Sequence, residues 1–157
     1  MITGVAGLLG SRLADWILEN TDNEVIGIDN LSGGFMENVH HRVQFYMYDL
    51  AKNDISYAFE KHKPDVVYHF AAYAAEGLSP FIRKFNYENN LLASVNLINN
   101  SIEHGVKRFV FASSMSVYGN KYEPPFHEDL QQCPIDPYGV AKFSVEQDLK
   151  IAYEQHG

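Results

Sequence analysis

Four apolar runs recur along the chain: EVIGID (24–29), RVQFYMYDL (42–50), DVVYHFAA (65–72) and KRFVFASS (107–114). They are short and rich in β-branched and aromatic residues, which is the pattern of strands buried on both faces. The stretches between and after them, 10–19, about 53–63, about 80–104 and 138–155, carry helical spacing instead. In NNLLASVNLINNSIEHG the residues Leu91, Val95, Leu97, Ile98 and Ile102 form one apolar stripe, and Gly105 is placed to end the helix. Strands alternating with helices predict βαβ units, a parallel sheet covered on both faces, and so an α/β, doubly wound architecture. Both ends look short for such a fold. Only Met1 and Ile2 precede the first glycine turn, where a central strand of ~5–6 residues is usual. The chain stops at Gly157, directly after a predicted helix. The expectation is a single domain over 1–157, truncated at its first strand, of reduced stability, with a C-terminal substrate-binding portion absent.

Composition narrows what such a domain can do. A 157-residue chain that is 46% hydrophobic and 13% aromatic can bury a core. A net charge of −8 and a pI near 5.2 argue against nucleic acid and against an anionic membrane surface. No apolar run has the length of a membrane span, and the N-terminus lacks a signal-peptide layout. With Cys133 the only cysteine, no intramolecular disulfide can form, so a reducing, cytoplasmic setting is expected. The histidines make no HxxxH or HExxH pattern, and the adjacent pair His40-His41 reads as a solvated loop, so no metal site is expected.

An acidic protein can still hold a phosphorylated ligand through backbone N–H groups at a helix start. TGVAGLLG (3–10) places Gly4, Gly7 and Gly10 in a TGxxGxxG pattern directly before the helical SRLADWIL. The first glycine permits a tight turn, the second a close approach to a pyrophosphate, the third close packing of helix on strand. Asp29 follows Gly10 by 19 residues and ends the next strand. That offset suits an acid bonding the ribose hydroxyls of an adenosine. Asp29 would repel a 2′-phosphate, and the following NLSGG has no Lys or Arg, so NAD is expected rather than NADP. Asp49, after the third strand, is a second candidate, for the adenine.

Three tyrosines sit four residues before a lysine: Tyr48 before Lys52, Tyr57 before Lys61, and Tyr138 before Lys142 in PYGVAK. Spacing alone does not separate them. Ligands in open α/β sheets bind beyond the carboxyl ends of the strands. Tyr57 falls inside a predicted helix, away from that edge, and Tyr48 has no helix to hold Lys52. Tyr138 opens a helix after the FASS strand, with Ser114 at that strand's end. Only this set offers a hydroxyl, a phenol and an ammonium for one site.

Six pieces in order carry a family resemblance: TGxxGxxG at 3–10, DNLSGG at 29–34, HFAA at 69–72, NN at 89–90, SSMSVYG at 113–119 and PYGVAK at 137–142. Together they span essentially the whole chain. It resembles the extended short-chain dehydrogenase/reductase superfamily, in its NAD-dependent epimerase/dehydratase branch, which includes the UDP-glucose 4-epimerases. The resemblance implies an NAD-binding Rossmann domain. In it Gly4, Ala6, Gly7, Leu8, Leu9 and Gly10 cradle the pyrophosphate, while Asp29 and Asn30 hold the ribose. Asp49 and Leu50 would flank the adenine, and Phe70, Ala71 and Ala72 would line the groove. Asn89 would support the site, with Ser114, Tyr138 and Lys142 catalytic and the last two also touching the cofactor. Two positions depart from the family pattern. Tyr73 stands where a polar side chain is frequent, and Met115-Ser116 stand where sugar dehydratases carry Asp-Glu.

The reaction implied is redox-neutral epimerisation of a nucleotide sugar, by removal and return of a hydride at one sugar carbon. Tyr138 would serve as base, its pKa lowered by the Lys142 ammonium and the nicotinamide cation. A dehydratase, reductase or decarboxylase of the same family stays open, as does an NAD-binding module without activity. The 157 residues alone are expected to turn over little substrate. A homodimer through the helices 80–104 and 138–155 is a further implication.

Overall fold

The computed structural model describes residues 1–157, and the chain divides into two compact units. The first comprises Met1–Ala72 and Asn96–Ala112. It contains all five strands: β1 (Ile2–Thr3), β2 (Ile26–Asp29), β3 (Gln44–Met47), β4 (Val66–His69) and β5 (Arg108–Phe111). They form one parallel sheet in the order β3-β2-β1-β4-β5. The order reverses between β1 and β4, which in doubly wound folds is where ligands bind.

The four expected strands are all present, each shorter than its apolar run because the terminal residues of each run leave the ladder. β1 has two residues, yet its pairing reaches beyond them. The Tyr68 N–H donates to Met1 O at 2.9 Å, Phe70 N–H to Thr3 O at 3.2 Å, and Gly4 N–H to Ile28 O at 2.8 Å. Both flanking strands therefore find partners in the centre of the sheet. Side by side in the register, Thr3 and His69 share a hydrogen bond of 2.7 Å between Oγ1 and Nδ1. One core layer gathers Ile2, Val5, Ala14, Leu18, Val25 and Val43. Its helical members come from α1 (Leu8–Asn20), whose Ala14 and Leu18 recur at helical spacing. A second helix, α2 (Ser56–His62), buries Ala58 and Phe59.

The second unit comprises Tyr73–Val95 and Ser113–Gly157. It holds α3 (Arg83–Tyr87), a π-helical turn (Glu88–Leu92), the first residues of α4 (Ala93–Glu103), and α5 (Pro137–His156). The expected helix over about 80–104 is thus not uniform: residues Glu76–Phe81 are 3-10, and the π turn interrupts the rest. A π turn inserts one residue and rotates the burial face. The apolar stripe shifts accordingly. Leu97 and Ile98 are buried, but Leu91 and Val95 are half-buried and Ile102 is exposed, whereas Asn86 and Asn90 are buried.

The start of α5 is fixed by several contacts. Asp136 caps it, accepting from the Gly139 N–H at 2.9 Å, and Pro137 occupies the first turn, where its missing N–H costs nothing. The Ser79 hydroxyl donates to Asp136 at 3.3 Å and accepts from the Tyr138 N–H at 3.2 Å. Asn86 Nδ2 donates to Pro137 O at 2.9 Å. The buried face of α5 then runs through Tyr138, Ala141, Lys142 and Val145.

Candidate active site

In the first unit, the glycine turn and Asp29 come together. Gly4 has φ +70°, a left-handed conformation that glycine adopts without a Cβ penalty. A Cβ on Gly10 would lie 2.2 Å from Gly4 O, so only glycine lets α1 start this close to the turn. Gly7 is the N-cap of α1; no side chain caps it and no acid lies in the first turn. The Leu8 and Leu9 side chains are exposed. Asp29, buried, accepts from the Ala6 N–H at 3.0 Å and the Leu31 N–H at 2.8 Å. A carboxylate has about four lone-pair sites, so acceptor capacity remains for a diol. The loop after β2 is strapped to the turn, with Phe35 N–H and Asn38 Nδ2 both donating to Ala6 O, at 3.2 and 2.9 Å.

These residues fit a dinucleotide. A helix start with no side-chain cap and no acid in its first turn suits a diphosphate, the Gly4–Gly10 approach leaves no room for a side chain, and Asp29 is an acceptor beside the turn. Other expected cofactor residues of this unit are placed less directly. Asn30 is exposed, its Oδ1 accepting from the Ser32 N–H and hydroxyl at 3.0 and 2.6 Å. Asp49 pairs with Lys52 at 2.9 Å and accepts from the Ala51 N–H at 3.0 Å. Burial pushes its pKa up, but these partners outweigh burial and hold it below the ordinary value. Leu50 is buried, Phe70 and Ala71 are half-buried, and Ala72 is exposed. The Ala71 N–H is taken by Thr3 Oγ1 at 3.2 Å.

In the second unit, Ser114, Tyr138 and Lys142 come together. Tyr138 and Lys142, four residues apart, share the buried face of α5, and Lys142 Nζ lies 5.7 Å from the centre of the Tyr138 ring. The helix start packs tightly on the 3-10 turn Met115–Tyr118; a Cβ on Gly139 would lie 2.7 Å from Ser116 O. That turn is capped by Ser114, whose Oγ accepts from the Ser116 N–H at 3.2 Å and the Ser116 hydroxyl at 2.9 Å. With its lone pairs so used, the Ser114 hydrogen is free to point towards the Tyr138 phenol, whose pKa the Ser114 hydroxyl lowers.

Burial dominates the electrostatics of this pair. Burial raises the Tyr138 pKa, Glu76 and Asp136 add to the rise, and the Ser114 hydroxyl lowers it. The Lys142 ammonium is itself desolvated, and its pKa falls to about 8. In the chain as it stands the phenol is held as the acid at neutral pH.

The other two tyrosine–lysine pairs have different surroundings. Tyr57 is exposed on α2, with Lys61 Nζ 5.7 Å from its ring and 5.9 Å from that of Tyr46. Tyr48 stacks on Tyr46, and Lys52 bonds Asp49 instead. Asn89 is half-buried and donates to Phe85 O at 2.9 Å, within its own helix. Its neighbour Asn90 is the buried one, accepting from the Tyr73 N–H at 2.8 Å and donating to Tyr73 O at 3.1 Å and Asn86 Oδ1 at 2.8 Å. Asn89 is expected at the site from the family pattern; which of the two asparagines is buried depends on the π turn, which a 3.6-residue period does not anticipate. Sequence reasoning did not single out Ser116, a hydroxyl two residues beyond Ser114.

A parallel sheet in this order with a glycine turn between β1 and α1 defines a Rossmann-type, dinucleotide-binding fold. Over residues 1–157 the chain matches the NAD-dependent epimerase/dehydratase family, and it belongs to that family. It is 35% identical to a UDP-glucose 4-epimerase of Streptococcus mutans, covering 100% of this chain and 48% of that protein. With a UDP-glucose 4-epimerase of Pisum sativum it shares 33% identity, over 94% of this chain and 45% of the relative. The crystal structure of the Thermotoga maritima UDP-glucose 4-epimerase with UDP-glucose superposes with a TM-score of 0.94 at 35% identity. That alignment covers 99% of this chain and 51% of that one. The Thermus thermophilus UDP-glucose 4-epimerase in complex with NAD gives 0.91 at 32% identity, over 99% and 51%. The chain thus spans about half the length of the relatives it matches. No helix is long and apolar enough to cross a membrane.

Proposed function

We propose that this chain binds NAD and carries the proton-transfer residues of a nucleotide-sugar epimerase, acting at C4 of a UDP-hexose. The observation that carries the reading is the set Ser114–Tyr138–Lys142, a phenol with a buried ammonium 5.7 Å from its ring and a serine hydroxyl that lowers its pKa. Membership of an NAD-dependent family and the fit of the glycine turn to a diphosphate support the cofactor. NAD, when bound, supplies a hydride acceptor that can return the hydride to either face of the same carbon.

The chain's own residues handle the proton. Tyr138 exchanges it with the sugar hydroxyl, Ser114 donates a hydrogen bond that steadies the phenolate, and Lys142, with a pKa near 8, is mostly cationic at neutral pH. Met115 and Ser116 occupy the position where an acid–base pair for water elimination would sit, which favours epimerisation over dehydration. Exposed Phe85, Leu92, Ile151 and Tyr153 on the helices of the second unit support self-association through them.

The test uses the native gene product that carries residues 1–157. Tyr138→Phe is expected to lower conversion of UDP-glucose to UDP-galactose, followed by NMR, by about 10²–10⁴-fold. NAD affinity, measured by calorimetry, is expected to stay unchanged. Full conversion by the variant overturns the assignment of Tyr138.

A further inference from the structure

One turn beyond Lys142 on α5 lies Glu146, half-buried, and its carboxylate is committed on both sides. One oxygen, Oε1, accepts from the Ser113 hydroxyl; the other, Oε2, accepts from the Gln132 side-chain amide. Ser113 is the residue before Ser114. Gln132 adjoins Cys133, whose N–H donates to Val117 O at 2.9 Å in the turn that Ser114 caps. A single carboxylate therefore ties to α5 both the residue entering the Ser114 turn and the segment packed against that turn. Tyr138 sits two turns earlier on the same helix. The distance from phenol to Ser114 hydroxyl is consequently set through α5 at one end by Tyr138 and at the other by Glu146.

We propose that Glu146 is a positioning residue: by clamping Ser113 and Gln132 it holds the Ser114 hydroxyl in register with the Tyr138 phenol. This rests on the reading of Tyr138 as the proton-transfer group. The role is distinct from a general structural one, because it predicts that loss of Glu146 is felt at the phenol through Ser114 and nowhere else. Glutamine can replace the clamp. Its carbonyl accepts from Gln132, and its amide donates to Ser113, since a hydroxyl both donates and accepts.

The experiment places a fluorinated tyrosine, whose phenol titrates in the neutral range, at position 138 of this chain and follows its titration by 19F NMR. Glu146→Ala is expected to shift the titration upward, because the Ser114 bond that favours phenolate is lost. Ser114→Ala is expected to give the same shift, the double variant no more than either, and Glu146→Gln none. An unmoved titration in Glu146→Ala where Ser114→Ala moves it overturns the proposal, and so do shifts that add in the double variant. If circular dichroism shows Glu146→Ala unfolded, Ser113→Ala and Gln132→Leu each remove one arm of the clamp. At least one must shift the titration upward, and no shift in either overturns the proposal. The phenol is read directly, without turnover, so this result stands apart from the conversion assay on Tyr138→Phe.

Discussion

Replacing Gly10 by alanine sets two physical effects against each other. Gly10 is helical, and alanine at an ordinary helix position gains about 1 kcal/mol over glycine. The new Cβ, however, would lie 2.2 Å from Gly4 O, 2.8 Å from Gly4 C and 2.8 Å from Val5 Cα. All three are backbone atoms of the turn between β1 and α1, so no side chain can swing aside. Real contacts of this type need roughly 1 Å more, which places the cost near the upper end of the ~1–3 kcal/mol typical of overpacking. The net expectation is a loss of about 2 kcal/mol, or roughly 4–8 °C in Tm for a chain of this size. Gly33→Ala serves as control. Nothing lies within 4 Å of its would-be Cβ, so a small gain of about 0.4–1 kcal/mol is expected from the stiffer unfolded chain. Thermal melts by circular dichroism compare the two, and calorimetry with NAD reports whether the displaced start of α1 still holds the diphosphate. A Gly10→Ala Tm equal to or above wild type would refute the close approach, and with it the geometric basis of the cradle.

Two more outcomes follow from the buried charges. Asp29→Asn removes the charge from a carboxylate that accepts two backbone N–H groups and leaves an NH2 facing one of them; urea titration should show a loss of about 1.5–3 kcal/mol, together with weaker NAD binding. Lys142 ordinarily titrates at 10.5 but at about 8 in the folded chain, so between those values the unfolded chain binds a proton that the folded one lacks. Burying the ammonium thus costs on the order of 3 kcal/mol below pH 8, and that cost fades as pH rises towards 10.5. Lys142→Met should be the more stable chain at pH 7, and its advantage should shrink across this window; a constant difference in urea midpoints from pH 7 to 10 would contradict the assignment. Tyr138, with its raised pKa, acts in the opposite sense above pH 10 and is common to both chains.

The features legible in the sequence are those whose cause is local. Gly4, Gly7 and Gly10 announce their turn because the backbone there admits little else, and Asp29 is found by its 19-residue offset from Gly10 to the end of the next strand. The period of the apolar runs identified the strands without their true ends, since a run continues into the loop where its residues are still half-buried, as at Phe70 and Ala71. That Asn90 is buried and Asn89 only half-buried is a matter of phase: the π turn is a backbone event that residue types do not signal. The clamp at Glu146 depends on Ser113 and Gln132, 33 and 14 residues away, and no short pattern ties them. At Tyr138, the Tyr–Lys spacing reveals a cation but not that the cation is itself desolvated.

The π turn at Glu88–Leu92 has an evolutionary corollary. One surplus residue is lodged in an otherwise regular helix, and it holds Asn90 against the Tyr73 backbone. Excising a single codon there would restore unbroken α-helical bonding and improve the helix locally, while swinging Asn86 and Asn90 by about 100° relative to the residues that follow. The irregularity therefore works against the helix and for its surroundings. One small deletion would give a better helix, yet it would release Tyr73 and the Pro137 end of α5 together, so the extra residue serves these neighbours at the expense of its own element.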